Sequence, residues 1–194
     1  MRKSKIERKT KETDIKLELN IDGKGDSSIK TGIAFFDHML TLMSKHGLFD
    51  LKIKAKGDLD VDFHHLVEDV GICIGKAINE SLGNKAGIKR YGFALTPMDE
   101  SLAMVALDIS GRGCLVFNAA SKKKEKDSFG LELTEEFFAA ISRSANMTLH
   151  INILYGKNLH HITEAVFKAA GRALSDAFLI DKRVKGIPST KGKL

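Results

Sequence analysis

The chain has 194 residues, 43% hydrophobic and 29% charged, with a formal net charge of +6, a composition that suits one folded domain with a sizeable core. No apolar run approaches the roughly 18–20 residues that span a bilayer, and the basic opening Met1-Arg2-Lys3-Ser4-Lys5 leads into no apolar stretch, so the expectation is no membrane span, no signal peptide and a cytoplasmic location. Nucleic-acid binding ranks last among the functions: the lysines are scattered, Trp is absent, and the local concentrations are Lys122-Lys123-Lys124, read as a solvated loop, and Lys182 to Lys193, which suits an anionic ligand.

In chain order, Asp14 to Asn20 reads as a strand, followed by a turn at Asp22-Gly23 and a second strand over Ser28 to Thr31. Phe35 to His46 carries a helical stripe (Phe36, Met39, Leu40, Met43) with Gly47 as its expected C-cap. Leu48 to Ala55 alternates partly, as a strand does, and a helix then begins at His64 with Leu66, Val70, Ile74, Ile78 and Leu82 on one face. Strands follow at Phe93 to Thr96, Leu102 to Ile109 and Cys114 to Asn118. Thr134 reads as the N-cap of a third helix through Phe137, Phe138 and Ile141. A strand over Met147 to Leu154 and a helix from His160 complete the series. Cys73 and Cys114 lack metal-type spacing and are expected to be free, buried thiols.

Shifting the sequence by 96 residues superposes His64, His65, Glu68, Val70, Gly75 and Ala77 on His160, His161, Glu164, Val166, Gly171 and Ala173. The chain is therefore internally duplicated. The expected fold class is α+β, with four helices packed between two mainly antiparallel sheets. It is one domain over 1–194, with a pseudo-repeat of about 10–90 and 91–184 and a basic C-terminal segment 185–194.

The doubled His-His-x-x-Glu points to metal. Residues four apart share a helix face, so His64 with Glu68, and His160 with Glu164, can each chelate an ion. His65 and His161 project about 100° away, which suits two ions better than one. One economical arrangement pairs His64 and Glu68 with His161 of the other copy, and the reverse for the second ion. Nitrogen and oxygen donors without thiolate suit Mn²⁺, Fe²⁺ or Zn²⁺, leaning to octahedral Mn²⁺. His38 lies 26 residues before His64 and Glu136 lies 24 before His160, so each is placed to complete one shell. Read without a metal, Glu136 is a solvated first-turn acid and His38 a capping or core histidine.

Gly32-Ile33-Ala34-Phe35-Phe36-Asp37-His38-Met39-Leu40, the two His-His-x-x-Glu helices, Asp108-Ile109-Ser110-Gly111-Arg112 and Ile187-Pro188-Ser189-Thr190-Lys191-Gly192 together resemble the imidazoleglycerol-phosphate dehydratase family, in that order, from about Thr10 to the C-terminus. The resemblance implies a histidine-biosynthesis hydro-lyase that converts imidazole glycerol phosphate to imidazole acetol phosphate. It further implies two Mn²⁺ per active site and an assembly of 24 subunits with active sites between them. The metal ligands implied are His38, His64, His65, Glu68, His160, His161 and Glu164. The family often has His-Phe-Phe where this chain has Glu136-Phe137-Phe138, a departure that a carboxylate ligand at Glu136 accommodates. Phosphate recognition is implied for Arg90, Arg112, Thr190 and Lys191, with Lys168 near the same pocket, since arginine offers phosphate a planar fork and lysine a point charge. Glu12 and His46 match substrate-contacting positions, as do His38, His64, Glu68 and His160. Asp99 and Glu100, in a turn, are read as structural.

The hydrogen to be lost sits on a carbon with no adjacent carbonyl, so no enolate route is open. An imidazole ring that loses its N–H can instead expel the neighbouring hydroxyl, with an ion at each ring nitrogen stabilising the anion. Glu12 is the candidate for proton transfer, with a metal-bound oxygen as the rival, and Glu68 and Glu164 are the candidates for holding the ions. Two other functions remain open from the residues alone: a two-metal phosphate-ester hydrolase, and a non-catalytic, metal-dependent assembly module.

Overall fold

Alternation builds the sheets. In the computed structural model, which describes residues 2–119 and 129–194, β2 (Thr13–Asn20) buries Thr13, Ile15, Leu17 and Leu19 and exposes Asp14, Lys16 and Glu18. Antiparallel β1 (Lys3–Lys9) and β4 (Asp50–Gly57) flank it, and β3 (Ser27–Lys30) runs parallel to β4, giving the order β1-β2-β4-β3. The second half repeats this plan. In it β5 (Tyr91–Met98), β6 (Ser101–Asp108), β8 (Thr148–Tyr155) and β7 (Cys114–Asn118) lie in the order β5-β6-β8-β7, with β7 parallel to β8. Lys122-Lys123-Lys124 lie outside the described residues.

Four helices fill the space between the sheets: α1 (Ala34–Gly47), α2 (His64–Leu82), α3 (Leu131–Ala145) and α4 (Leu159–Phe178). Each half supplies two, but the helices pair across the halves, α1 on α4 and α2 on α3. Glycine makes both pairings close. A Cβ at Gly171 of α4 would fall 2.3 Å from the Met43 carbonyl oxygen of α1, and a Cβ at Gly75 of α2 would fall 2.7 Å from that of Ile141 in α3. These are one contact used twice, between equivalent residues of the duplicated halves.

Details of the sequence reading change at element ends. Gly47 is the last helical residue of α1, and Leu48 takes the left-handed cap at φ 56°. Gly47 is small for another reason: its Cβ would strike the Phe49 ring and approach the Gly171 carbonyl. Thr134 does not cap α3. Gly130 is the N-cap, while Thr134 is buried in the first turn and its hydroxyl donates to the Gly130 carbonyl. Cys73 is buried, its thiol pushed up to about 11 by desolvation, whereas Cys114, expected to be buried, is exposed at the start of an edge strand. Both are free. Among the described residues no helix is long and apolar enough to cross a membrane.

In an exposed helix Gly→Ala adds about 1 kcal/mol of stability. At Gly171 the methyl group meets backbone that cannot withdraw, so Gly171→Ala is expected to lower stability by about 1–3 kcal/mol. Chemical unfolding checks this, and a gain like that of an exposed site would contradict the close crossing.

Candidate metal centre and anion-binding residues

The α1–α4 crossing brings three donors together. His38 Nε2 of α1 lies 3.1 Å from Glu164 Oε1, and His160 Nε2, one turn before Glu164 on α4, lies 2.9 Å from the same oxygen. All three donor atoms fall within 4.8 Å of one another, and this is the one such His/Cys/Asp/Glu group among the described residues. Glu164 is buried while both imidazoles are half exposed, so the cluster has a closed floor and an open mouth. Asn158 caps α4 by accepting from the His160 backbone N–H, and the edge of the Phe35 ring supports the imidazole at 5.0 Å. Beside it opens an apolar cavity of about 500 Å³, walled by Phe35, Phe63, Phe129 and Leu159.

Charge completes the cluster. Burial pushes the Glu164 carboxyl up, but hydrogen bonds from Lys168, His38 and His160 overcome this and bring it down to about 2. Lys168 Nζ donates to Glu164 Oε2 at 2.5 Å, leaving Oε1 to face the two imidazoles. His46 is within reach of the same charges. Desolvation holds it below its ordinary value, with the Lys168 and Arg172 cations acting in the same direction. Arg172 is a residue of this site that helix spacing makes visible, since Glu164, Lys168 and Arg172 follow one another at four-residue steps along one helix face.

The first-half motif is arranged differently. His65 Nδ1 lies 2.9 Å from Asp58 Oδ2, and Glu68 Oε1 accepts from Arg143 at 3.2 Å. His64 starts α2, its backbone N–H donating to Asp62 Oδ1. Glu136 occupies the place in α3 that His38 occupies in α1, ten residues before the left-handed cap in each (Asn146 and Leu48). Within one chain neither Glu136 nor His161 joins His64 and Glu68 in a three-donor group.

Glu100, read from sequence as structural, engages the site. It directly precedes β6, as Glu12 directly precedes β2, so the two glutamates are equivalents. Glu100 Oε2 lies 2.7 Å from His161 Nδ1, and Oε1 accepts from the backbone N–H groups of Lys157 and Asn158. A carboxylate on one ring nitrogen fixes the tautomer and directs the other nitrogen outward, the usual second sphere of a metal-binding histidine. Glu12 by contrast spends its carboxylate in no hydrogen bond among the described residues, and its charge raises the pKa of His65, though less than the Asp58 hydrogen bond does.

The cations expected to read phosphate lie elsewhere in the chain. Arg90 directs its guanidinium at Asp108 (2.6 and 3.0 Å) and at the Pro188 carbonyl (2.8 Å), and so ties down the C-terminal segment. Thr190, Lys191 and Arg112 are exposed, and the turn before Arg112 sits against the chain's end, since a Cβ on Gly111 would lie 2.5 Å from the Leu194 carbonyl carbon. Within one chain Lys168 lies apart from this group, beside Glu164. The Arg90 N–H donates to the Ala177 carbonyl near the C-terminal end of α4, whereas Glu164 is near its N-terminal end. At 1.5 Å per residue the two sites are about 20 Å apart.

Protonated His161 is favoured by Glu100, and ionised Glu100 by the Asn158 N–H and His161. The pair therefore stabilises the fold from above the ordinary carboxylate value, and this stabilisation fades as pH rises through the raised value of His161. Glu100→Gln should lower the His161 titration midpoint in metal-free protein toward 6.5. NMR of the ring protons reads this, and an unchanged midpoint would contradict the pairing.

A family model for imidazoleglycerol-phosphate dehydratase matches residues 31–174. The chain is 58% identical over 193 residues to the imidazoleglycerol-phosphate dehydratase of Acetivibrio thermocellus, covering 100% of this chain and 99% of that one. It is 55% identical over 194 residues to that of Clostridium kluyveri, with both chains fully covered. Among solved structures, the dehydratase of Staphylococcus aureus superposes with a TM-score of 0.82 at 41% identity, over 92% of this chain and 99% of that one. The Pyrococcus furiosus enzyme, in complex with (S)-C348, gives 0.84 at 38% identity over 97% and 100%. With its duplicated fold and paired histidine helices, this chain belongs to the imidazoleglycerol-phosphate dehydratase family of hydro-lyases.

Proposed function

We propose that this chain removes water from D-erythro-imidazole glycerol phosphate to give imidazole acetol phosphate, in histidine biosynthesis in the cytoplasm, with two Mn²⁺ per active site. The observation that carries the metal dependence is the His38–His160–Glu164 cluster: two imidazole nitrogens and a carboxylate oxygen, drawn from two helices and gathered within 4.8 Å. The donor set fits a divalent first-row ion with open positions, and the depressed pKa of Glu164 keeps its carboxylate ionised for that role. His64, His65, Glu68, His161 and Glu136 would supply donors to the second ion. When bound, the ions act as Lewis acids toward the substrate ring and favour its deprotonated form.

The chain's own groups do the rest. Glu164 orders both imidazoles and Lys168, while Asp58 and Glu100 fix the tautomers of His65 and His161. Glu12, whose charge acts on His65 and whose carboxylate makes no hydrogen bond among the described residues, is positioned to move a proton. Arg112, Thr190 and Lys191 hold the phosphate, and Arg90 keeps the C-terminal segment in place for them.

Two observations support a site shared between copies. A small phosphate ester cannot bridge the roughly 20 Å that separate Glu164 from Arg90 along α4, which supports phosphate and ring sites drawn from different subunits. The outward face of β5 is also apolar for a surface strand: Tyr91, Phe93 and Leu95 are 59%, 58% and 49% exposed. The outer face of the first sheet carries Lys16, Glu18, Lys52 and Lys54 instead. An apolar strip on one sheet only is a surface for a second copy, in keeping with a homo-oligomer of 24 subunits.

Apo-protein incubated with the substrate should form the ketone product only when Mn²⁺ is added, with phosphate retained. Release of inorganic phosphate would instead indicate a two-metal phosphatase. Glu164→Gln should lose turnover and weaken metal binding together, and full activity of that variant in chelated buffer would contradict the metal reading. Arg112→Ala should raise KM for the phosphate substrate while kcat changes little.

A further inference from the structure

Asp69 follows the metal-motif residue Glu68 directly but points the other way, into the protein, where it is 7% exposed. A buried carboxylate is costly unless both oxygens are satisfied, and both are. Oδ1 accepts from Arg8 Nη2 of β1 at 2.8 Å, and Oδ2 accepts from the Thr13 hydroxyl at 2.5 Å. Thr13 is the first residue of β2. Its neighbour Thr10 closes the β1–β2 turn, with the Thr10 hydroxyl accepting from the backbone N–H groups of Glu12 and Thr13 at 3.1 and 2.9 Å. Thr13 lies opposite Gly57 in the sheet, and the next residue, Asp58, holds His65. Asp69 thus ties the turn that carries Glu12 to the helix that carries His65 and Glu68.

The duplicated half shows what the fold needs without this tie. The residue equivalent to Asp69 is Ala165, fully buried in α4, and the second half folds to the same plan. Its turn glutamate is fixed by its own carboxylate, which Glu100 spends on His161 and the β8–α4 loop. In the first half Glu12 keeps its carboxylate unspent, so the turn is held from behind.

We propose that Asp69, through Thr13, is a positioning residue that presents Glu12 to the reacting substrate beside His65. This rests on the reading of Glu12 as the proton-transfer group. Arg8 compensates the buried charge of Asp69 and so belongs to the same device.

A double-mutant cycle on the manganese-loaded enzyme tests it. Thr13→Val keeps the shape of the side chain and removes the donor to Asp69. It is expected to lower kcat about 10-fold or more, with KM and bound manganese within about 2-fold, and Thr13→Ser should restore kcat. In a Glu12→Gln background Thr13→Val should cost nothing further, and both variants should lose the same limb of the pH profile of kcat/KM. Losses that multiply in the double variant, or a Thr13→Val enzyme with unchanged kcat, would overturn the positioning role and leave Glu12 in place. A fully active Glu12→Gln enzyme would overturn the reading of Glu12 itself, and the positioning role with it. Thermal midpoints of the same four proteins separate a folding defect from a loss of positioning, since only the former lowers manganese content and kcat together.

Discussion

The approach of α1 to α4 is the constraint on which the candidate centre depends. Gly171 lets the Met43 carbonyl come so near that no side chain fits between them, and the closeness carries His38 onto Glu164. The crossing brings His38 from one helix and His160 and Glu164 from the other onto one carboxylate oxygen. Packing and chemistry therefore have the same cause: the small residue that seats the two halves on each other also assembles the donors.

Duplication gave the molecule two such crossings, and the halves then diverged in what they attach to them. The second half joins His38, His160, Glu164 and Lys168 into one network within the chain. The first half engages Glu68 with Arg143 and, among the described residues, leaves the Glu12 carboxylate without a hydrogen bond. Equivalent glutamates thus have opposite fates, Glu100 committed to structure around a histidine and Glu12 left open toward one. A duplicated frame with unequal decoration is what an asymmetric reaction asks of two nearly symmetric half-sites.

Much of this was legible in the residues. Helical periodicity located all four helices, and the 96-residue repeat exposed the duplication because the paired histidines and the glycine at the crossing recur together. β1 was not legible: in Lys3 to Lys9 only Ser4 and Ile6 are buried, and the third residue on that face is Arg8, so its alternation looks like a charged tail. The partner of His160 was hidden for a different reason. Helix spacing shows which residues share a face, not which helix lies opposite, and the cluster joins α1 of one half to α4 of the other. Glu100 and Asp58 escaped because a carboxylate that orients a histidine has no fixed spacing from it. Arg90 was expected at phosphate. Within the chain its fork holds Asp108 and the Pro188 carbonyl, a commitment that only the position of the C-terminal segment reveals.

The central claim is that the crossing of the two halves builds a divalent metal site at His38, His160 and Glu164. Anomalous scattering from crystals grown with Mn²⁺ tests it most directly. The account predicts a manganese peak in contact with His38 Nε2, His160 Nε2 and Glu164 Oε1 together. A peak that touches none of the three, or a fully active enzyme whose crystals bind no manganese there, would contradict it.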